Sequence, residues 1–273
     1  MQTVRFTKLS VIIPAYNEGR TVHLVLDQVR QVVLRGGIRK EVIVVNDGSG
    51  DDTEAAILRY RQRHPEMDLQ YYKHAANQGK GAALRTGISR ATGEYLVIQD
   101  ADLEYDPHEY NLLIGPVLGG VADVVYGSRF AGRNPPRGWF SWHTAGNKFL
   151  TFLSNRCTRL QLTDMETCYK LFNTSLVQQL TLRENRFGFE PEVTAKIARL
   201  PGVRMYEVGI SYHRRRYAEG KKITWRDGIR AIYCIFKYSN GFTGRAPALT
   251  PTPAGPRPGQ EPEVAAVAHP ERH

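Results

Sequence analysis

The sequence predicts an α/β protein: one domain on a mostly parallel sheet, followed by a disordered C-terminal tail. Three observations carry that expectation. Short continuous apolar runs at residues 9–14 (LSVIIP), 41–45 (EVIVV) and 95–98 (YLVI) have the makeup of strands covered on both faces. Each run stops on a polar cluster and gives way to a segment of helical periodicity, as in successive βαβ units. From about Gly244 onward Pro, Ala, Gly and Glu replace both patterns, a composition that cannot fill a core.

In chain order, the first strand leads to Tyr16 and Glu18, and Val22, Val25, Val29, Val32 and Val33 then recur at helical spacing until Gly36-Gly37. The second strand ends on Asn46-Asp47-Gly48-Ser49, and a helix is expected over residues 52–63. A third strand falls at 68–73. Asn77-Gln78-Gly79-Lys80-Gly81 lacks the full spacing of a P-loop and reads as the start of a helix over 82–91. The strand at 95–98 runs into Asp100-Ala101-Asp102, and Asp106-Pro107 opens a helix to about Leu118. A strand at 123–126 ends in Gly-Ser-Arg129-Phe. Residues 131–138 (AGRNPPRG) are a loop, 139–160 a helix, 162–172 a turn and short strand, 189–200 a helix and 203–212 the last strand. Residues 223–238 place Trp225, Ile229, Ile232, Tyr233 and Phe236 on one helical face. The expected organisation is a domain over 1–222, an amphipathic helix over 223–243 and a tail over 244–273.

At 273 residues, 41% hydrophobic and 23% charged, the chain suits one large globular domain. Its net charge of +10 favours polyanionic partners, phosphate-rich substrates or anionic membrane surfaces among them. The basic residues lack the aromatic-interleaved pattern of single-strand nucleic-acid binders, so no specific nucleic acid is expected. Three cysteines without CxxC spacing imply neither a zinc site nor a disulfide framework, and fit a reducing compartment. The N-terminus reads as the approach to a strand rather than a signal peptide, and no run of about 18 apolar residues suggests a membrane span.

Read as part of a strand, Asp100 and Asp102 share a face and aim at one point. Two such carboxylates repel unless a cation lies between them, and hard oxygen donors suit Mg²⁺ or Mn²⁺. In a parallel sheet, ligands gather beyond the carboxyl ends of the strands, where every polar cluster named above would lie.

SVIIPAYNE at 10–18, VVNDGSGDDT at 44–53, NQGKGAALRTG at 77–87, and DADLEYDP followed by GSRF resemble the family 2 glycosyltransferases of GT-A fold, a Rossmann-like nucleotide-diphospho-sugar transferase domain. The resemblance is nearest to the dolichyl-phosphate mannose synthase-like enzymes and their bacterial polyprenyl-phosphate counterparts, over about residues 10–223. It implies a nucleotide sugar donor, GDP- or UDP-linked, a divalent cation, and inversion at the anomeric carbon. It also implies roles. Pro14, Tyr16 and Glu18 would contact base and ribose, with Val45 and Asp47 beside the base. Asp100, Ala101 and Asp102 would hold the diphosphate and its metal, with Glu104, where many relatives have Gln, as a further ligand. Arg129 would meet the acceptor phosphate. Arg216 and Lys222 would clamp the donor diphosphate, in a segment (RYAEGKK) that departs from the family's RxxGESK.

The chemistry accounts for these residue types by itself. Charge builds on the departing diphosphate, and a metal, Arg and Lys stabilise it. A phosphate monoester acceptor is largely ionised at neutral pH, its second pKa being about 6, and needs no protein base. An alcohol acceptor does need one, and Asp164 or Glu166 is the candidate; Asp164 reads equally well as a turn residue bonding backbone. His143 reads as a packed histidine, and residues 187–192 as a helix start whose acids favour the dipole. The helix at 223–238 is either a core helix or an interfacial one, apolar face in lipid and basic flanks on head groups. Trp139, Phe140 and Trp142 beside Arg133 and Arg137 suit the same surface. The expected function is therefore metal-dependent hexose transfer to a polyprenyl phosphate, at the cytoplasmic face of a membrane. The rivals are a soluble or saccharide acceptor and, from another class, a non-catalytic binder of anionic ligands or nucleic acid.

Overall fold

The computed structural model describes residues 6–131, 142–213 and 225–239. Seven strands form one sheet in the order β3-β2-β1-β4-β6-β5-β7. They are β1 (Lys8–Ala15), β2 (Arg39–Asn46), β3 (Leu69–Lys73), β4 (Tyr95–Ile98), β5 (Val124–Ser128), β6 (Lys170–Asn173) and β7 (Met205–Gly209). The helices are α1 (Val22–Gln31), α2 (Thr53–Arg63), α3 (Lys80–Arg90), α4 (Tyr110–Leu118), α5 (Trp142–Thr158), α6 (Thr174–Gln178), α7 (Phe189–Ala198) and α8 (Trp225–Tyr238).

The apolar runs do cover both faces. Leu9, Val11 and Ile13 of β1, Val42 and Val44 of β2 and Val97 of β4 enter one hydrophobic cluster, with residues of α1, α2 and α4. Ile12, Ile43, Val45, Leu96 and Ile98 enter the other, with residues of α3 and α7. Strand alternation thus explains why the sequence shows unbroken hydrophobic runs.

β1, β2, β3 and β4 are mutually parallel, and β5 is parallel to β7. β6 is antiparallel to both β4 and β5. The expected short strand near its position exists, but its reversed direction was not foreseen; a four-residue strand carries no mark of polarity in its composition. Its reversal brings the segment 163–169, which precedes β6, to the edge where β4 and β5 end. α6 was also missed, being a single turn or so started by Asn173, whose side chain accepts from the Leu176 N–H.

The twin aspartates are not presented by strand alternation. β4 ends at Ile98, and residues 101–105 form turns, with Leu103 at φ +62°. Buried Gln99 imposes this. Its Nε2 donates to the carbonyls of Asp100 and Tyr105, both at 3.2 Å, while its Oε1 accepts from Tyr110 Oη at 3.0 Å. A glutamine that bonds across the turn curls the chain out of the sheet. The proposed loop from residue 132 onward, the side chains of Trp139, Phe140, Trp142 and His143, and the tail lie outside the described side chains, as do Arg216 and Lys222.

Candidate active site

The polar clusters gather at one edge of the sheet. Asp47 follows β2 and is buried; its carboxylate accepts from the backbone N–H groups of Gln78 (3.0 Å) and Gly79 (2.7 Å) and lies 2.6 Å from Nδ1 of His74. It therefore ties down the turn that opens α3. Gly79 sits at φ +100°, and a Cβ there would run into the Asn185 carbonyl, so only glycine lets α3 start so close to the 184–186 segment. The reward of that placement is Lys80, the first residue of the helix.

Lys80 Nζ lies 2.5 Å from Asp100 Oδ1 and 2.8 Å from Cys168 Sγ. Burial disfavours the charge on both Lys80 and Asp100, but each is held ionised by the other: the ammonium stays well above its usual range and the carboxylate below its own. Burial, then the Asp100 charge, pushes the Cys168 thiol up, so it remains a neutral thiol. Asp102 accepts the Glu104 N–H at 3.2 Å, and Glu104 Oε2 accepts from Tyr212 Oη at 2.7 Å. The turn carrying the two aspartates is thereby joined to the strand end beyond β7. Tyr105 packs on Tyr169, centroids 5.2 Å apart, and fixes the same turn against the segment before β6.

Across the edge, Arg129 leaves β5 and is clasped by Asp164: Nε to Oδ2 and Nη2 to Oδ1 are both 2.7 Å. Glu207 of β7 sets Asp164 in place by accepting the backbone N–H groups of Thr163 (3.0 Å) and Asp164 (3.1 Å). The Arg129 guanidinium also lies 5.3 Å from the centroid of the Tyr212 ring.

Of the other residues singled out in the sequence, Pro14 pairs in register with Val45, whose side chain is wholly buried in the core. Tyr16 is half-buried after β1, and Glu18 is nearly buried, its backbone N–H donating to Thr53 Oγ1 at 2.8 Å. Ala101 is buried. Lys80, His74, Cys168 and Glu207 were not anticipated as a group. The Asn-Gln-Gly-Lys-Gly signal was visible, but its lysine meets Asp100 only through the fold.

Among the described residues no three His, Cys, Asp or Glu side chains are clustered ready to hold a metal ion. The donor set does fit one in part. Asp100 and Asp102 offer hard oxygens from a turn at the sheet edge, and a cation there would draw its remaining ligands from phosphate and water.

A mostly parallel seven-stranded sheet with carboxylates beyond β4 is the GT-A arrangement expected from the sequence, the reversal of β6 apart. The profile described as Glycosyl transferase family 2 matches residues 10–181, more than half of the chain, and the protein belongs to that family. Dodecaprenyl-phosphate galacturonate synthase of Rhizobium johnstonii is 26% identical over 223 residues, covering 80% of this chain and 62% of that protein. Dolichyl-phosphate beta-glucosyltransferase of Dictyostelium discoideum is 26% identical over 203 residues, covering 68% and 60%. The chain thus spans about three fifths of these relatives. Among solved structures, glucosyl-3-phosphoglycerate synthase of Mycobacterium tuberculosis, in complex with Mn²⁺, UDP and glucosyl-3-phosphoglycerate, shares the fold at TM-score 0.64 and 19% identity, with 86% of this chain and 80% of that one covered.

Proposed function

We propose that the protein transfers a hexose, with inversion, from a UDP- or GDP-linked donor to a polyprenyl phosphate. The observation that carries this reading is the bidentate pair of Arg129 and Asp164. Asp164, the leading candidate for a base, uses both oxygens to orient a cation. A clasped guanidinium suits an acceptor that is already an anion. The curated relatives, named for dodecaprenyl and dolichyl phosphates, support the same acceptor class.

On the donor side, Pro14, Tyr16, Glu18, Val45 and Asp47 frame the nucleoside, Val45 through its main chain. Asp100 and Asp102 would hold a divalent cation, Mn²⁺ or Mg²⁺, with Glu104 close by on the same turn. The cation would neutralise charge on the departing diphosphate. Lys80 adds a fixed positive charge beside it, and Arg216 and Lys222 belong to the same donor clamp. Arg129 holds the acceptor phosphate for attack on the anomeric carbon. The phosphate oxygen brings its own negative charge, so no proton has to be removed.

The outer helices support a lipid acceptor. Phe149 and Phe152 of α5 and Ile229, Tyr233 and Phe236 of α8 are exposed on neighbouring helices, together with Lys148, Arg230 and Lys237. Apolar stripes edged with cations suit an anionic bilayer surface. No helix among the described residues is long and apolar enough to cross a membrane. The test is transfer from labelled UDP- and GDP-sugars, with Mn²⁺ or Mg²⁺, to a short-chain polyprenyl phosphate, the matching alcohol and a free saccharide. Product is expected on the phosphate alone; turnover confined to the alcohol or the saccharide defeats the reading.

A further inference from the structure

Midway along the segment that joins Asp164 to Cys168 stands Glu166, a residue the mechanism above leaves unused. Its Oε1 is buried and has no hydrogen-bond partner among the described residues. An orphaned carboxyl oxygen in such a place calls for an explanation.

The charges around it supply one. The charges that act on Glu166 are Glu190 of α7, Lys170 of β6, Arg129 at the end of β5 and Asp164 of its own segment. Arg129 is committed to both oxygens of Asp164. Lys170 is wholly buried; its ammonium pairs with Glu190 and also donates to the carbonyls of Met165 (3.0 Å) and Thr167. Two cations are thus matched to two carboxylates before Glu166 is counted. Among the described residues a third carboxylate, its Oε1 buried, would have no cation left, and the cheaper state is the protonated acid. Burial and the neighbouring Glu190 charge accordingly push its pKa up to about 8.

The geometry points to Glu166 as a neutral acid that donates its carboxyl O–H to the acceptor phosphate held by Arg129. This rests on the phosphate-acceptor reading and adds a residue to it. The proton stays on Glu166 throughout; its task is to bind. An ionised Glu166 would repel the same phosphate, so the site should lose acceptor affinity as Glu166 titrates. A base acting on an alcohol would show the opposite trend, gaining rate on ionisation.

The test is steady-state kinetics from pH 5.5 to 9.5 on the full chain, at saturating donor, with a short-chain polyprenyl phosphate as acceptor. For the wild type, kcat/KM should rise as the acceptor takes its second charge, near pH 6. Above about pH 8 it should fall toward tenfold per unit, and the fall should lie in acceptor KM with kcat steady. Glu166→Gln keeps an N–H donor and cannot ionise. It should transfer within a few-fold of wild type at pH 7 and lose the alkaline fall. Glu166→Ala should raise acceptor KM about tenfold at pH 7. An acceptor KM that is flat to pH 9.5 in the wild type overturns the inference without any variant. So does a folded Glu166→Gln protein that is inactive at pH 7, or one that keeps the alkaline fall. Transfer to the alcohol but never to the phosphate defeats the acceptor reading itself and this inference with it. Transfer to the phosphate with a flat profile defeats the inference alone.

Discussion

Arg129 and Asp164 meet through two parallel hydrogen bonds of 2.7 Å, and the Arg129 backbone N–H adds a third to Oδ2 at 3.1 Å. The carboxylate is fully buried and the guanidinium nearly so. Removing one member of such a pair strands the other charge, which typically costs about 3–5 kcal/mol. Asp164→Ala is therefore expected to lower stability by about that amount in urea denaturation. Arg129→Lys, which keeps the charge but loses the planar fork, should raise acceptor KM at least tenfold while leaving nucleotide binding intact. Equal loss of donor and acceptor binding in that variant would contradict the assignment of Arg129 to the acceptor.

Much of this arrangement could be read from the sequence because it depends on local pattern. The runs at β1, β2 and β4 announce a two-sided sheet, and the rule that ligands collect at strand ends places Asp47, Asp100 and Arg129 on one edge. What escaped depends on pairing across the chain. Lys80 and Asp100 are twenty positions apart, Glu207 and Thr163 forty-four. Nothing in either segment names its partner. The strand-based geometry for the two aspartates failed for a related reason: Gln99, held by Tyr110, draws the turn closed through the carbonyls of Asp100 and Tyr105, contacts invisible to periodicity.

Metal dependence is the next outcome to check. If a cation bridges the turn beyond β4 to the diphosphate, chelation should abolish transfer and added Mn²⁺ or Mg²⁺ restore it. Asp102→Asn should lose metal-stimulated turnover by at least a hundredfold, since such electrostatic contacts are commonly worth several kcal/mol. Thermal shift with UDP or GDP, with and without Mn²⁺, gives a reading independent of turnover. A metal-dependent shift that survives unchanged in Asp102→Asn would remove Asp102 from the cation site.

α8 carries its own prediction. Of the apolar face read from the sequence, Ile229, Tyr233 and Phe236 point outward and Ile232 is half-buried, while Ala231, Cys234, Ile235 and Tyr238 pack inside. Glu184 fastens the helix, accepting from Tyr238 Oη at 2.7 Å and from Arg230 Nε at 2.9 Å. Phe152→Ser with Phe236→Ser removes two exposed rings without touching that clasp. Each ring is worth about 1.5–3 kcal/mol if fully inserted, so binding to vesicles containing phosphatidylserine should weaken more than tenfold. Added salt should weaken the wild type as well. Undiminished sedimentation of the double variant would count against a membrane contact through α5 and α8.

Glu166 makes a prediction about stability that is separate from catalysis. Its pKa rises from 4.5 to about 8 on folding, for which burial is the first cause and the Glu190 charge the second. Between those values the native state holds a proton that the unfolded chain has released. Stability from this group is therefore complete below about pH 4.5 and is lost as pH climbs through 8, with a slope approaching 1.4 kcal/mol per unit. Other groups add slopes of their own, so the useful quantity is the difference between wild type and Glu166→Gln. That difference should move in favour of the variant steadily from pH 5 to pH 8 and level off above it. Urea unfolding at four or five pH values measures it directly. A constant difference across the range would mean that Glu166 titrates normally in the folded protein, and that a cation reaches it after all.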